Sequence, residues 1–381
     1  MVSVYITGVG MTKIDKHWDM TVSELASEAL RIALNDAEIE NVDAVFVGNM
    51  LSGIVNSQEN LASLVVSYAG LYGTPAFKVE AACASGAAAI ASAFISVKSG
   101  MFKNVAVVGV EKMSDETSVE GITRALATAA DSEYELYHGV SFTALNALIM
   151  QRYSYEFNVK PEDYGLWSIQ MHKNATMNPY AQLRFEITME KYLSSQWISK
   201  PIRFMDCSPV GDGAAALILS SKKPENRPIE IAGIGMATDK FQSFLREDLL
   251  TLAAAKMAAK RAYDMANIRP EDIDMVEVHD AFTIMGVLSL EALGLAEKGK
   301  GIELLKNGDI KPDGTIPTNL SGGLKARGHP VGATGVYQVA ELALQLRGTP
   351  VGVKLDNPNI GVALNLGGLA SNCYVTVLKG G

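Results

Sequence analysis

Val4-Tyr5-Ile6-Thr7-Gly8-Val9-Gly10-Met11 and Ile229-Glu230-Ile231-Ala232-Gly233-Ile234-Gly235-Met236 are the same phrase written twice in one chain. Each is a short β-type alternation that ends in Gly-x-Gly. An amphipathic helical stretch follows both, and the two close alike: Ala33-Leu-Asn-Asp-Ala-Glu-Ile39 against Ala262-Tyr-Asp-Met-Ala-Asn-Ile268. Strand-like runs come next, Val42–Val47 and Ile273–Val278. Further on, Cys83-Ala84-Ser85-Gly86 and Gly332-Ala333-Thr334-Gly335 each open a small-residue helix, ending near Gly100 and Gly348. Val336, Val339, Ala340, Ala343 and Leu344 keep the spacing of one buried helical face. Strand runs at Asn104–Val110 and Gly361–Leu366 complete the parallel. Three matches in one order point to a duplicated α/β protein rather than to chance.

The halves are expected at residues 1–220 and 229–381, joined by the linker Ser221-Lys-Lys-Pro-Glu-Asn-Arg-Pro228. Between Met113 and Arg203 the pattern breaks into a segment with Trp167, Trp197 and polar turns such as Met177-Asn178-Pro179-Tyr180. It reads as an excursion built on the first half, either a cover for a long substrate or a packing insertion. The first half resumes with the buried strand Asp212–Leu219.

Composition bounds the function. A chain of 381 residues with 48% hydrophobic and 20% charged residues is neither disordered nor a minimal module. Lysine and arginine number 33 against 42 acids, a net charge of −9, which disfavours a broad nucleic-acid face. Three widely spaced cysteines give no disulfide framework and fit a reducing, cytoplasmic setting. The N-terminus lacks the pattern of a secretory leader, and no run reaches the ~18 apolar residues of a membrane span. Gly8-Val9-Gly10 carries Lys13 where a dinucleotide loop needs glycine. With no phosphate-loop, paired-histidine or Cys-x-x-Cys signature, no cofactor and no metal are expected.

Cys83 follows the strand-like Ala76–Glu80 and precedes an Ala-rich helix. A thiol at a helix N-terminus is expected to have a lowered pKa and nucleophilic character, although a free cysteine is also a common buried residue. His279 ends an apolar strand, where open α/β sheets gather functional groups. His329 lies in Asn319-Leu-Ser-Gly-Gly-Leu-Lys-Ala-Arg-Gly-His-Pro330, just before the second small-residue helix. If the halves pack about a pseudo-two-fold axis, Cys83, His279 and His329 converge, and a Cys–His pair with a further imidazole suits thioester chemistry. A zinc site from the same three residues is conceivable, but the helix-start position of Cys83 suits a nucleophile better. Cys207 and Cys373 read as buried structural thiols.

Cys83-Ala84-Ser85, His279-Asp280-Ala281-Phe282 and Gly328-His329-Pro330-Val331-Gly332-Ala333-Thr334-Gly335 resemble the motifs of the thiolases. The likeness runs through Asn178–Gln182 and Gly211–Ala215 and covers essentially the whole chain. It is nearest to the sterol-carrier-protein type and its archaeal relatives. The resemblance implies duplicated αβα halves forming a five-layered αβαβα core, with a loop domain that covers coenzyme A. It implies acetyl-CoA C-acetyltransferase activity through an acetyl-Cys83 intermediate, feeding mevalonate and isoprenoid synthesis. Degradative cleavage of longer 3-oxoacyl-CoA, or a non-catalytic acyl-CoA-binding scaffold, are the alternatives. His329 would take the Cys83 proton; His279 and His329 would form one oxyanion hole, and the backbone N–H groups of Cys83 and Gly367 the other. Asn319 is assigned to oxyanion or substrate binding with Gly367. A homodimer or homotetramer is implied, with a complex including hydroxymethylglutaryl-CoA synthase and a small zinc-ribbon/OB-fold protein. Thiolases commonly carry a second cysteine where this chain has Asn365 or Ala281, so the base for the second acetyl unit is open among His279, His329 and Cys373.

Overall fold

The computed structural model describes residues 2–381. The first half runs β1 (Tyr5–Met11), α1 (Val22–Asp36), β2 (Ala44–Gly48), α2 (Ser52–Val55), α3 (Leu61–Tyr68), β3 (Ala76–Val79), α4 (Ser85–Lys98) and β4 (Asn104–Glu111). The excursion supplies α5 (Val119–Ala127), α6 (Phe142–Phe157), α7 (Pro161–Ala175), α8 (Met189–Ser194), β5 (Trp197–Ser199) and β6 (Ile202–Arg203), and β7 (Gly213–Ser220) closes the half. The second half runs β8 (Ile229–Thr238), α9 (Ala253–Ala266), β9 (Met275–Glu277), α10 (Thr283–Ala292), α11 (Gly301–Asn307), α12 (Thr334–Arg347), β10 (Ile360–Gly367) and β11 (Asn372–Gly380).

Among the described residues nine strands hydrogen-bond in the order β3-β2-β4-β7-β1-β8-β11-β10-β9. Read outward from the β1/β8 seam, each half has the same sequence of partners: β7, β4, β2 on one side, β11, β10, β9 on the other. Thr318, which bridges Val276 in parallel, stands where β3 would be repeated. The seam itself is short, pairing Tyr5 with Glu230 and Ile6 with Ile229.

The repeated Gly-x-Gly is a packing device. A Cβ at Gly10 would overlap the Ala29 carbonyl of α1, and one at Gly235 the Ala258 carbonyl of α9; Gly8 and Gly233 meet Ala33 and Ala262 in the same way. Bare glycine lets each helix lie directly on its strand. The repeated helix endings also match: Glu38 (φ 54°) and Asn267 (φ 51°) turn left-handed. Ile39 N–H then bonds Leu34 O and Ile268 N–H bonds Tyr263 O, both at 3.1 Å.

α1 packs on the outer face of the first half and α9 on that of the second, while α4 and α12 touch each other and strands of both halves. The layers are therefore α, β, α, β, α, as the resemblance implied. A Cβ at Gly86 would lie 2.8 Å from Gly332 O, and one at Gly335 2.5 Å from Ala87 N. The starts of the two central helices thus meet backbone to backbone, and the loops that precede them, carrying Cys83 and His329, are forced together.

The excursion packs on both halves: α5 lies against α2 of the first, where Ile122 and Ala125 join Leu51. α7 packs against α10, α11 and the turn at Gly323–Arg327 of the second half. The cause is Trp167, fully buried and so close to Gly286 that a Cβ there would collide with the indole. No helix among the described residues is long and apolar enough to cross a membrane.

Candidate active site

Cys83 follows a tight turn. Ala82 has φ 53°, an uncommon conformation for a residue with a Cβ. It is held because Ser85 Oγ accepts from Ala81 N–H (2.9 Å) and donates to Ala82 O (2.6 Å). His279 lies just past β9. Asn319 fixes that strand end, accepting from Val278 N–H (2.7 Å) and donating to Val278 O (3.2 Å). Asp280 then ties the His279 segment to its surroundings, accepting from Trp167 Nε1 (2.8 Å) and from Leu324 N–H (2.7 Å) in the turn that leads to His329.

Cys83, His279 and His329 line one cavity of about 390 Å³. The two imidazoles stand edge to face, 5.0 Å between centroids at 89°, and are 4% and 7% exposed. The excursion forms a wall of the same cavity with Met113, Ile122, Leu126, Phe142 and Asn146, and Lys16 and Trp18 also line it. The excursion is therefore both cover and packing element.

Hydrogen bonds assign the two rings opposite roles. Thr334 Oγ1 donates to Pro330 O (3.2 Å), so at 2.7 Å it accepts from His329 Nδ1–H. That leaves the Nε2 lone pair of His329 free to take a proton. His279 Nδ1 accepts from Leu366 N–H (3.3 Å) and from Asn365 Nδ2 (3.0 Å). The neutral His279 ring consequently carries its proton on Nε2 and is a donor.

Burial holds His279 neutral with a pKa lowered to about 3, and the buried Arg327 guanidinium adds to the effect. His329 is driven well below the usual imidazole range by burial, then by His279 and Arg327. Arg327 is itself fully buried against Glu341, 2.6 Å away. The expected lowering of the Cys83 pKa is overturned. Although the residue as a whole is half-buried, its thiol is enclosed, and burial pushes it up to about 12 with the Glu111 carboxylate adding to the rise. The helix start offers too little compensation, since Cys83 precedes α4 by two residues and only its own N–H and that of Gly368 face the sulfur.

The remaining assigned residues and thiols are placed as follows. Gly367 ends the β10 ladder, paired with Asn372, and the chain turns at Gly368 (φ 58°), whose N–H faces the Cys83 sulfur. Asn319 is not among the cavity-lining residues, because both polar atoms of its side chain bond the Val278 backbone. Cys373 is fully buried in β11 with its thiol on Ala370 O (3.5 Å), away from the cavity. Cys207, read as structural, does line the cavity; it bridges Phe282 and its thiol points to Arg203 O (3.5 Å). Its sequence surroundings carry no periodic or glycine signal that would have singled it out. No group of three or more His, Cys, Asp or Glu among the described residues is arranged to hold a metal ion.

A strand-end nucleophile with two neutral imidazoles under an apolar cover is the arrangement of an acyl-transfer site. Residues 4–199 match the family described as thiolase, N-terminal domain, and residues 235–380 the thiolase C-terminal domain-like family. The chain belongs to the thiolase family, and it is an acyltransferase. It is 40% identical to the acetyl-CoA acetyltransferase of Methanothermobacter thermautotrophicus over 385 residues, covering 100% of both chains. It is likewise 40% identical to that of Methanocaldococcus jannaschii, covering 100% of this chain and 99% of the relative. Among solved structures, the Ltp2-ChsH2(DUF35) aldolase superposes with a TM-score of 0.86 at 21% identity, covering 99% of this chain and 98% of that one, a likeness of fold.

Proposed function

We propose that this protein is an acetyl-CoA C-acetyltransferase that condenses two acetyl-CoA molecules to acetoacetyl-CoA and free CoA. The observation that carries the reading is the opposite hydrogen bonding of His329 Nδ1, on Thr334 Oγ1, and His279 Nδ1, facing Leu366 N–H, in the cavity that Cys83 lines. A thiol raised to about 12 holds almost no resting thiolate, so its proton passes to His329 Nε2 as the sulfur attacks the first acetyl thioester. His329 gives that proton to the departing CoA sulfur and becomes a neutral base again. It next removes an α-proton from the second acetyl-CoA, while His279 Nε2–H stabilises the enolate oxygen. The carbanion attacks acetyl-Cys83, with the new oxyanion facing the N–H groups of Cys83 and of the Gly367–Gly368 turn. Collapse expels the Cys83 sulfur, which recovers its proton from His329. One base serves twice, so the reaction needs no second cysteine at Asn365 or Ala281. CoA thioesters are the substrates, and the reading requires no cofactor.

The 40% identity to two acetyl-CoA acetyltransferases over full length supports acetyl-CoA as substrate. The reading extends to synthesis that feeds the mevalonate route, to a cytoplasmic homo-oligomer, and to a complex with hydroxymethylglutaryl-CoA synthase and a small companion protein. The similar aldolase, which joins Ltp2 to a ChsH2(DUF35) protein, supports such a companion. Incubation with acetyl-CoA, followed by intact-mass and peptide analysis and an assay for acetoacetyl-CoA, tests the activity. An acetyl group on Cys83 together with product is expected. Absence of the adduct would leave a scaffold, and faster thiolysis of longer 3-oxoacyl-CoA than of acetoacetyl-CoA would make the enzyme degradative.

A further inference from the structure

Glu111, the last residue of β4, is fully buried, and its carboxylate accepts four N–H groups. Oε1 takes Asn49 Nδ2 (2.8 Å) and Leu51 N (3.0 Å); Oε2 takes Met50 N (2.9 Å) and Gly332 N (2.9 Å). All four partners can only donate, so the arrangement suits the ionised carboxylate and leaves no acceptor for a proton on it. Burial works against that charge and raises the Glu111 pKa to about 7, with Lys78 on β3 offering modest relief.

The donors come from both halves of the chain. Residues 49–51 follow β2, and Gly332 lies three residues beyond His329. The approach at Gly332 is so close that a Cβ there would sit 2.6 Å from Glu111 Oε2. Cys83 packs against the cluster that these contacts fix, which contains Leu51, Met113 and Val331. Glu111 is thus a clamp between the nucleophile's apolar wall and the loop that carries its base. Its charge also bears on the Cys83 sulfur, second to burial among the causes that hold the thiol up.

We propose that Glu111 is a positioning residue that locks the His329 loop against the apolar wall of the nucleophile and sets a negative charge behind that wall. The charged and titratable groups facing Cys83 are Glu111 on β4, Glu80 just before the turn, and the neutral His279 and His329 from the second half. Those around Glu111 are Cys83 and Lys78, since Lys112 turns away to Asp115 (2.7 Å) and Asp212 (3.7 Å). Burial is the larger cause of the raised Cys83 pKa, Glu111 is next, and Glu80 contributes less. The arrangement spares the resting enzyme adventitious thiolate chemistry, because an acetylated sulfur is neutral and indifferent to the nearby charge while a free thiolate is not.

The inference rests on the acyl-enzyme reading above, but its test also reads the free enzyme without substrate. Iodoacetamide alkylation of Cys83, followed by peptide mapping from pH 7 to 10, reports the thiolate directly. For the unaltered protein the rate should climb less than tenfold from pH 7 to 8, while Glu111 gains its charge, and then about tenfold per pH unit without levelling. Glu111→Gln removes the charge and should raise alkylation by about tenfold, one pKa unit, above pH 8 where Glu111 is ionised, and by less at pH 7. It should also slow acetyl transfer from acetyl-CoA by about 10²-fold as the clamp loosens. Glu111→Asp keeps the charge but shortens the reach, so alkylation should stay slow while acetyl transfer falls. Equal alkylation rates in folded Glu111→Gln and the unaltered protein would overturn the charge role, and undiminished acetyl transfer in both variants would overturn the clamp. Should Glu111→Gln not fold, a levelling of alkylation near pH 8.5 in the unaltered protein would sink the charge role. Full acetyl transfer in Gly332→Ala, whose Cβ pushes against the carboxylate, would sink the clamp.

Discussion

The two halves of this chain lay a helix on a strand by the same bare-glycine contact, end that helix with the same left-handed turn, and pair their strands in the same order. They diverge where the strands stop. At the end of β4 stands Glu111, whose carboxylate ties the halves together; at the matching end of β10 stands Gly367, which leads into the Gly368 N–H that faces Cys83. β2 is followed at once by Asn49, a partner of Glu111, whereas its counterpart β9 is followed by Val278 and then His279. The loop before α4 carries a thiol and the loop before α12 an imidazole. Regular elements set position, and the strand ends set chemistry.

This division of labour can be broken residue by residue. The largest loss is expected from Cys83→Ser, which should abolish the acetyl adduct and product formation because an alcohol ionises far less readily than a thiol; an adduct that persists at another residue would move the nucleophile elsewhere. Next, His329→Ala should slow acetylation of Cys83 and condensation alike by roughly 10²–10⁴-fold. His279→Ala should cost roughly 10²–10³-fold in condensation and distinctly less in acetylation. Rapid-quench measurement of the two half-reactions separates these roles, and equal losses for His279→Ala in both would contradict its assignment as a donor.

The structural side of the parallel is tested by Gly10→Ala and Gly235→Ala. Each places a methyl group against a helix carbonyl, so each should lower stability by about 1–3 kcal/mol, read from thermal unfolding. A harmless change at either position would mean that the two contacts are not equivalent. The smallest effect is expected for Cys207→Ala: its thiol lines the cavity but points to Arg203 O, so condensation should stay within a few-fold. A loss approaching the roughly 10²-fold worth of a general base would transfer the α-proton step from His329 to Cys207.

Much of the scaffold is legible in the sequence because duplication repeats local rules. Gly-x-Gly strands, helix endings, the 221–228 linker and the small-residue starts of α4 and α12 all announce themselves within a few residues. The convergence of Cys83, His279 and His329 follows from the symmetry of the repeat. What escapes the sequence depends on contacts between distant segments. Trp167 beneath Gly286 draws the excursion onto the second half, which no local pattern encodes. A helix start beside Cys83 is visible in the sequence, but the enclosure of its thiol and the approach of Glu111 are not, so local pattern alone points its pKa shift the wrong way. That the turn after β10 falls at Gly368, which takes the positive φ and brings its N–H to the Cys83 sulfur, is fixed by the ladder between β10 and β11.

The seam between β1 and β8 holds the halves by two residue pairs, yet the nucleophile lies on one side of it and both imidazoles on the other. Reactivity therefore resides in neither body alone but at a border between lookalikes, and the linker at 221–228 is a tether rather than a working part. A polypeptide severed there should regain turnover when its pieces are mixed, with each fragment inert by itself.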